Sequence, residues 1–157
     1  AEFDQEMAAT RRVLERVPEA AFAWKPHEKS CSLGGLAMHL SQLPHWGRQI
    51  LDRECYDLDS ASGQTAETQT VADILETFDR HVAEVRRPLT ERPEQELLQP
   101  WALTRGAQTI LSMPKISALR RFLLHHVIHH RGQLTVYLRL QGVPIPPIYG
   151  PTADERS

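Results

Sequence analysis

The histidines are the residues whose type and spacing point most directly to chemistry. The chain has eight of them in 157 residues, and four lie within six positions. They form two pairs at a spacing of four, His125 with His129 and His126 with His130. Residues four apart on an α-helix lie on the same face. Since neutral imidazole is a common ligand of divalent transition metals, either pair could hold one metal ion.

The phase of the apolar residues favours one of the two pairs. Steps of three and four residues trace a seam through Ile116, Leu119, Leu123, His126, His130, Gln133, Tyr137 and Leu140. His126 and His130 therefore face the predicted core, whereas His125 and His129 lie on the neighbouring face. Imidazoles that face a core need polar partners, and one metal ion satisfies two of them. The glutamate of the zinc motif HExxH is missing, because Val127 follows His126.

A third ligand should come from another helix, because two imidazoles make a weak site. Two other histidines lie in the middle of predicted helices, on the apolar face of each. His39 shares a face with Leu36 and Leu43, and His81 shares a face with Phe78 and Val85. The apolar periodicity alone leaves both open. Three neutral imidazoles with an open fourth position are typical of a catalytic zinc site.

Four segments of helical period must position these histidines. They predict helices over about 2–17 and 32–53, a third that opens at Thr70, and a fourth from Pro114 to about Gln141. Four such helices in one domain over 1–157 predict an all-α fold, a four-helix bundle with crossover connections. Residues 100–112 carry the signal of a small β-hairpin.

Local signals predict where these helices begin, bend and end. Ser32 is a predicted N-cap, and Thr70 with Asp73 has the spacing of a capping box. Pro44 should bend the second helix, because proline removes a backbone donor. Gly142, which is followed by Val-Pro, predicts the end of the fourth helix. The proline-rich tail beyond it is expected to lie extended over the surface.

Composition narrows the classes of partner. A formal net charge of −2 argues against nucleic acid, which requires clustered positive charge. The longest apolar run, Ala20–Trp24, is far shorter than the roughly 20 residues that cross a bilayer. Cys31 and Cys55 form no CxxC pair, and the sequence does not open with a signal-like segment. We therefore expect reduced thiols and a cytoplasmic protein without a membrane partner.

Three stretches of sequence carry a recognisable pattern. Residues 34–40 read GGLAMHL around His39, residues 126–134 read HVIHHRGQL, and residues 138–144 read LRLQGVP. Together with Tyr149-Gly150-Pro151, they resemble the DinB-like (damage-inducible) family of metal-binding four-helix proteins. The resemblance covers nearly the whole chain, and His-Arg-Gly-Gln after an HxxxH pair is its most specific part.

The resemblance implies a complete ligand set: His39 joins His126 and His130 as the third ligand. It implies a divalent transition metal, zinc or nickel first and iron or manganese as alternatives, and a homodimer. It also implies close packing of a neighbouring helix against Gly132, because a mid-helix glycine costs about 1 kcal/mol relative to alanine.

Other residues near the predicted site have weaker roles. Those that could support the ligands or line a pocket are Gln133, Tyr137, Trp46 and His129. The roles of His125 and His81 stay open. Arg131 and Arg139 are expected to make surface or dimer contacts.

Three functions follow from the resemblance and the ligand set. Relatives include metal-dependent transferases that use bacillithiol or mycothiol, so we expect transfer of a low-molecular-weight thiol to an electrophilic small molecule. The metal would hold the thiol as its nucleophilic thiolate. The first alternative is a hydrolase that uses metal-bound water. The second is a non-catalytic metal-binding scaffold of the stress response that works through its dimer surface.

Overall fold

Helices dominate the fold, as the apolar periodicity predicts. The computed structural model describes residues 1–60 and 70–155. Its regular elements, in chain order, are α1 (Glu2–Leu14), α2 (Leu33–Asp52), β1 (Cys55–Asp57), α3 (Val71–Glu91), α4 (Glu94–Leu97), β2 (Pro100–Arg105), β3 (Gln108–Pro114), α5 (Lys115–Leu119) and α6 (His125–Leu140). A π-helical turn, Arg120–Leu124, joins α5 to α6. The four predicted helical segments are thus confirmed, with a small sheet beside them.

The predicted helix signals act where the sequence places them. The Ser32 hydroxyl accepts a hydrogen bond from the backbone N–H of Gly35 at the start of α2. Thr70 and Asp73 form a reciprocal capping box at the start of α3. Gly142 follows α6 with a φ of 71°, a left-handed conformation that glycine adopts at little cost. Two side-chain caps and one left-handed glycine therefore define three of the helix ends.

The core forms where the apolar faces of α1, α2, α3 and the α5–α6 segment meet. α2 lies among the others and passes closest to them at Gly47. A Cβ atom there would lie 2.8 Å from Cδ2 of Leu123 and 3.0 Å from Cγ1 of Val85. Only a residue without a side chain permits this approach. Because of it, α2 can present histidines to α6 and to α3 at once.

The fourth helical segment departs from the prediction of one regular helix. Pro114 precedes the segment in an extended conformation rather than occupying its first turn. In the π-helical turn, the N–H of His125 donates to the carbonyl of Arg120, five residues back. One extra residue in the turn rotates all that follows. The buried positions beyond Leu123 are consequently Val127, Arg131, Leu134 and Leu138.

The predicted seam is therefore wrong beyond Leu123. His126 and His130 lie half-buried on the flank of the buried stripe, and Gln133 and Leu140 are exposed. The helix packing expected at Gly132 is not found within the described chain. A Cβ atom at this position would meet nothing within 4 Å in the described chain.

The predicted hairpin is confirmed and belongs to a three-stranded sheet in the order β1-β2-β3. β2 and β3 are antiparallel, with Trp101 opposite Met113. β1 pairs in parallel with β2, with Cys55 opposite Ala102. The sheet places the buried Trp101 ring against Phe122 of the π-helical turn, with 5.5 Å between ring centroids.

Arg131 corrects the expectation of a surface or dimer contact. Its side chain is only 2% exposed and forms an ion pair with Glu6 of α1 at 2.7 Å. It also donates to the Tyr149 hydroxyl at 2.6 Å, and Tyr149 in turn donates to Glu6. Arg139, by contrast, is exposed and pairs with Asp154. The tail is thus held over α1 and α6 by charge-assisted hydrogen bonds.

Within residues 1–60 and 70–155, the structure has no helix long and apolar enough to cross a membrane.

Candidate metal centre

Three imidazoles from two helices converge on one point. His39 comes from the middle of α2, and His126 and His130 come from successive turns of α6. One ring nitrogen of each lies within 4.8 Å of the others. The structure thus brings His39, and not His81, to the HxxxH pair.

The spacing of the nitrogens fits a metal ion. Nε2 of His39 and Nε2 of His126 are 3.4 Å apart. Two nitrogens bound to one tetrahedral zinc at 2.0–2.1 Å are separated by about 3.3 Å. The two rings therefore already have the separation of ligands on one ion. Their edge-to-face arrangement, with ring planes at 64°, lets both nitrogens point to the same place.

A hydrogen bond on the far side of its ring holds His130 in place. Nδ1 of His130 donates to the side-chain carbonyl of Gln133 at 2.6 Å. Such a bond fixes both tautomer and ring orientation, and it raises the basicity of a metal-binding nitrogen. Nε2 of His130 is left with its lone pair towards the cluster. The backbone of Phe122 acts on the His126 ring from the same helical segment and raises its pKa, which opposes the larger lowering by burial.

Burial keeps the cluster uncharged. Burial first, and then charge repulsion from the nearby His130 and His126 rings, together lower the pKa of His39 to about 4. Burial is also the main cause of the lowered pKa values of His126 and His130. A pKa below the ordinary value means that the imidazoles are neutral near pH 7. Neutral imidazole is the form that binds a metal.

Of the other predicted residues, Gln133 and His129 contact the cluster. Gln133 orients His130 as described. The exposed His129 ring packs edge-on against His130, with centroids 4.8 Å apart, and its charge contributes to the lowered pKa of His130. His129 does not belong to the group of converging nitrogens. It therefore shields one side of a ligand rather than adding a ligand.

Tyr137 and Trp46 make their contacts elsewhere. The Tyr137 hydroxyl donates to the carbonyl of Cys31 at 3.4 Å, and its ring packs edge-on against Trp24. Trp46 packs against Phe122 and Tyr56.

Two features of the site were missed in the sequence. The first is the backbone of Phe122, which raises the pKa of His126 from four residues earlier in the chain. The second is a separate group in which His81 lies with His45 and Glu84. The sequence shows no spacing that joins these last three, because their approach depends on how α2 and α3 pack. His125 is exposed and joins neither group.

The fold and the site define a class: a mostly helical protein with three converging histidines between two helices of its bundle. Comparison with known proteins agrees. The model of the DinB family matches residues 1–156, and the chain belongs to that family. Metal binding is usual in the family, and the histidine cluster described above is suited to it.

Solved structures share the fold. A DinB-like protein from Bacillus subtilis has a TM-score of 0.75 and 21% identity, with 94% of each chain covered. One from Bacillus cereus ATCC 10987 has a TM-score of 0.70 and 18% identity, covering 93% of this chain and 92% of the other. A DinB family protein from Exiguobacterium sibiricum 255-15 has a TM-score of 0.67 and 18% identity, covering 93% and 90%.

A sequence relative is similar over a shorter stretch. The uncharacterized protein YrdA of Bacillus subtilis (strain 168) is 51% identical over 43 residues, 27% of this chain. The match spans 25% of YrdA itself.

Proposed function

We propose that this protein is a divalent-metal-dependent enzyme that transfers a low-molecular-weight thiol to an electrophilic small molecule. His39, His126 and His130 would hold the metal. The convergence of three neutral imidazoles, two of them with Nε2 atoms 3.4 Å apart, is the observation that carries the proposal. The family relationship supports the metal, and the thiol chemistry is our inference from the resemblance to thiol-dependent transferases, because the ligand set alone would also suit a hydrolase.

The donor set favours an open coordination position. Within the part of the chain that the structure describes, the group contains three histidines and no fourth histidine, cysteine or carboxylate. Structural zinc sites are usually closed by four protein ligands, whereas catalytic sites have three and leave one position for substrate. A divalent ion held this way supplies Lewis acidity, which lowers the pKa of a thiol and favours its nucleophilic thiolate form.

The chain's own residues would prepare that chemistry. Burial keeps the three rings neutral at neutral pH, so that no proton competes with the metal. Gln133 holds the proton of His130 on Nδ1. Preorganised ligands need little rearrangement when a substrate arrives.

The proposed reaction is a nucleophilic substitution at carbon, preceded by loss of the thiol proton. The thiol gives its S–H proton to solvent or buffer. A sulfur lone pair then forms an S–C bond to the electrophilic carbon, while the bond from that carbon to its leaving group breaks and the leaving group departs with the electron pair. No oxidant or reductant is required.

The test is a transfer assay on metal-loaded protein. Bacillithiol or mycothiol is offered together with a haloalkyl electrophile, and the S-alkyl product is quantified by mass spectrometry. We expect product formation above the uncatalysed rate, and loss of at least about 100-fold in the His126→Ala/His130→Ala double variant, which lacks two ligands. His125→Ala is the matched control, because His125 is an exposed histidine on the same helix, and it should retain the activity.

Other outcomes separate the remaining functions. Metal-dependent hydrolysis of the electrophile without any thiol would replace the transferase proposal with a hydrolase. Failure of the loaded protein to turn over in either assay would contradict an enzymatic role for the centre.

A further inference from the structure

We propose that His45, His81 and Glu84 form a second binding site for a divalent transition-metal ion, on the side of α2 that faces α3. One ligand atom from each residue lies within 4.8 Å of the other two. Two imidazoles and one carboxylate are a donor set that zinc and iron accept in proteins.

The second group has the packing of the first. The His45 and His81 rings have centroids 5.3 Å apart, compared with 4.6 to 5.2 Å among the three rings of the His39 cluster. His81 and Glu84 are three residues apart on α3, a spacing that places their side chains on one face. His45 reaches them from α2, so the site joins two helices.

His81 is already oriented as a ligand. Its Nδ1 donates to the backbone carbonyl of Ser41 at 3.1 Å. This bond fixes the proton on Nδ1, leaves the lone pair on Nε2 and holds the ring against α2. A carbonyl that orients an imidazole in this way is the usual support for a metal-binding histidine. The side-chain amide N–H of Gln49 donates to Nε2 of His45 at 2.8 Å. This bond holds the His45 ring, and it must break or reverse through a flip of the amide when His45 binds a metal.

The two sites are distinct. His39 and His45 are six residues apart on α2, which corresponds to about 9 Å along the axis and about 120° around it. They therefore face different helices and share no ligand. A negative charge from Glu84 attracts a cation to the second site, whereas Arg53 and Arg80, which lie near His45, oppose it. Because His45 and Glu84 are also exposed, we expect weaker binding there than at the buried cluster.

The probe for this site is Zn²⁺ alone, titrated calorimetrically into chelator-treated protein. To isolate the second site, the measurement uses the His126→Ala/His130→Ala variant, which lacks the first cluster. We expect one equivalent of Zn²⁺ to bind, and a rise in its melting temperature of about 5 °C at saturating metal, because the ion ties α2 to α3.

Three further substitutions in this background locate the ion. His45→Ala and Glu84→Gln should each weaken binding about tenfold or more and remove the thermal shift. Glu76→Gln is the matched control, since Glu76 is an exposed carboxylate on the same helix outside the group, and it should leave binding unchanged. Circular dichroism verifies that each variant is folded.

Absence of Zn²⁺ binding in the folded double variant would overturn the proposal. So would binding that persists unchanged in both His45→Ala and Glu84→Gln. Neither result tests metal binding by His39, His126 and His130, and neither measurement depends on enzyme activity.

Discussion

The two histidine clusters are built on the same helix and differ in what surrounds them. The His39 cluster is half-buried between α2 and α6 and consists of three imidazoles. The His45 cluster lies between α2 and α3, with two of its three members exposed and one of them a carboxylate. The difference teaches that burial decides how a cluster without metal behaves. Burial is the main cause of the lowered pKa of each of the three rings in the first cluster, whereas the second cluster is more open to water.

The largest expected effect comes from removing a ligand that belongs to only one of the two clusters. His39→Ala should weaken metal binding at the first cluster by more than about 100-fold, because it removes a ligand and not merely a ligand's support. Zn²⁺ binding to the second cluster should persist, since His45 lies on another face of α2. Calorimetric titration of His39→Ala beside the parent protein measures both. Loss of both sites together, with the fold intact, would mean that the clusters are not independent.

A smaller effect tests the support of a ligand. Gln133→Leu removes the acceptor for Nδ1 of His130, and we expect metal affinity at the first cluster to fall by about 10- to 100-fold. Gln133→Glu keeps an oxygen acceptor and should retain most of the affinity. The second cluster offers no matching substitution, because its support is the Ser41 backbone carbonyl. Equal affinity in the leucine and glutamate variants would show that Gln133 does not orient His130.

The pH dependence of stability tests whether burial affects the His39 cluster more than the His45 cluster. In the unfolded chain His39 takes up a proton near its ordinary pKa of 6.5, while in the folded protein its pKa is about 4. Stability is therefore fully present above the higher value and is lost as pH falls towards the lower one. For the metal-free protein we expect a loss of about 1–2 kcal/mol over this window, allowing for solvent screening of a half-exposed group.

Urea denaturation in the presence of a chelator, from neutral pH down to about pH 4, measures that loss. His39→Gln, which cannot take up a proton, should flatten the profile more than His45→Gln. His125→Gln at an exposed position is the control and should follow the parent protein. A profile for His39→Gln as steep as that of the parent would show that His39 does not carry the pH dependence.

The sequence predicted the features that depend on interactions between neighbouring residues, and it missed those that depend on contacts between distant elements. Ser32, Thr70 with Asp73, and Gly142 act through bonds to neighbouring backbone groups, so the helix ends that they define were predictable. The π-helical turn was not, because the apolar period before it gives no sign of an added residue. Nor was β1, whose three residues form a strand only by pairing with β2.

The same limit holds for the two clusters. His126 and His130 come from one helix and have a visible spacing. His39 lies on another helix. The apolar periodicity did not distinguish His39 from His81 as the third ligand, and only the resemblance to a known family selected His39. The His45 cluster needs α2 and α3 in their packed positions, which no local pattern encodes. The expectation that Gly132 is packed came from the same resemblance, and no atom of the described chain lies against it.

The smallest expected effect concerns Gly132, which lies on the exposed side of α6 two residues beyond His130. Gly132→Ala should raise the free energy of unfolding by about 0.5–1 kcal/mol, since it removes the entropic cost of glycine and meets no atom of its own chain. Gly47→Ala is the contrasting variant on α2. It should destabilise the fold by about 1–3 kcal/mol through overlap with Leu123 and Val85. Denaturant titration measures both, and light scattering reports the oligomeric state. If Gly132→Ala instead lowered stability and dissociated a dimer, this side of α6 would be packed against a second copy, as the predicted homodimer would allow.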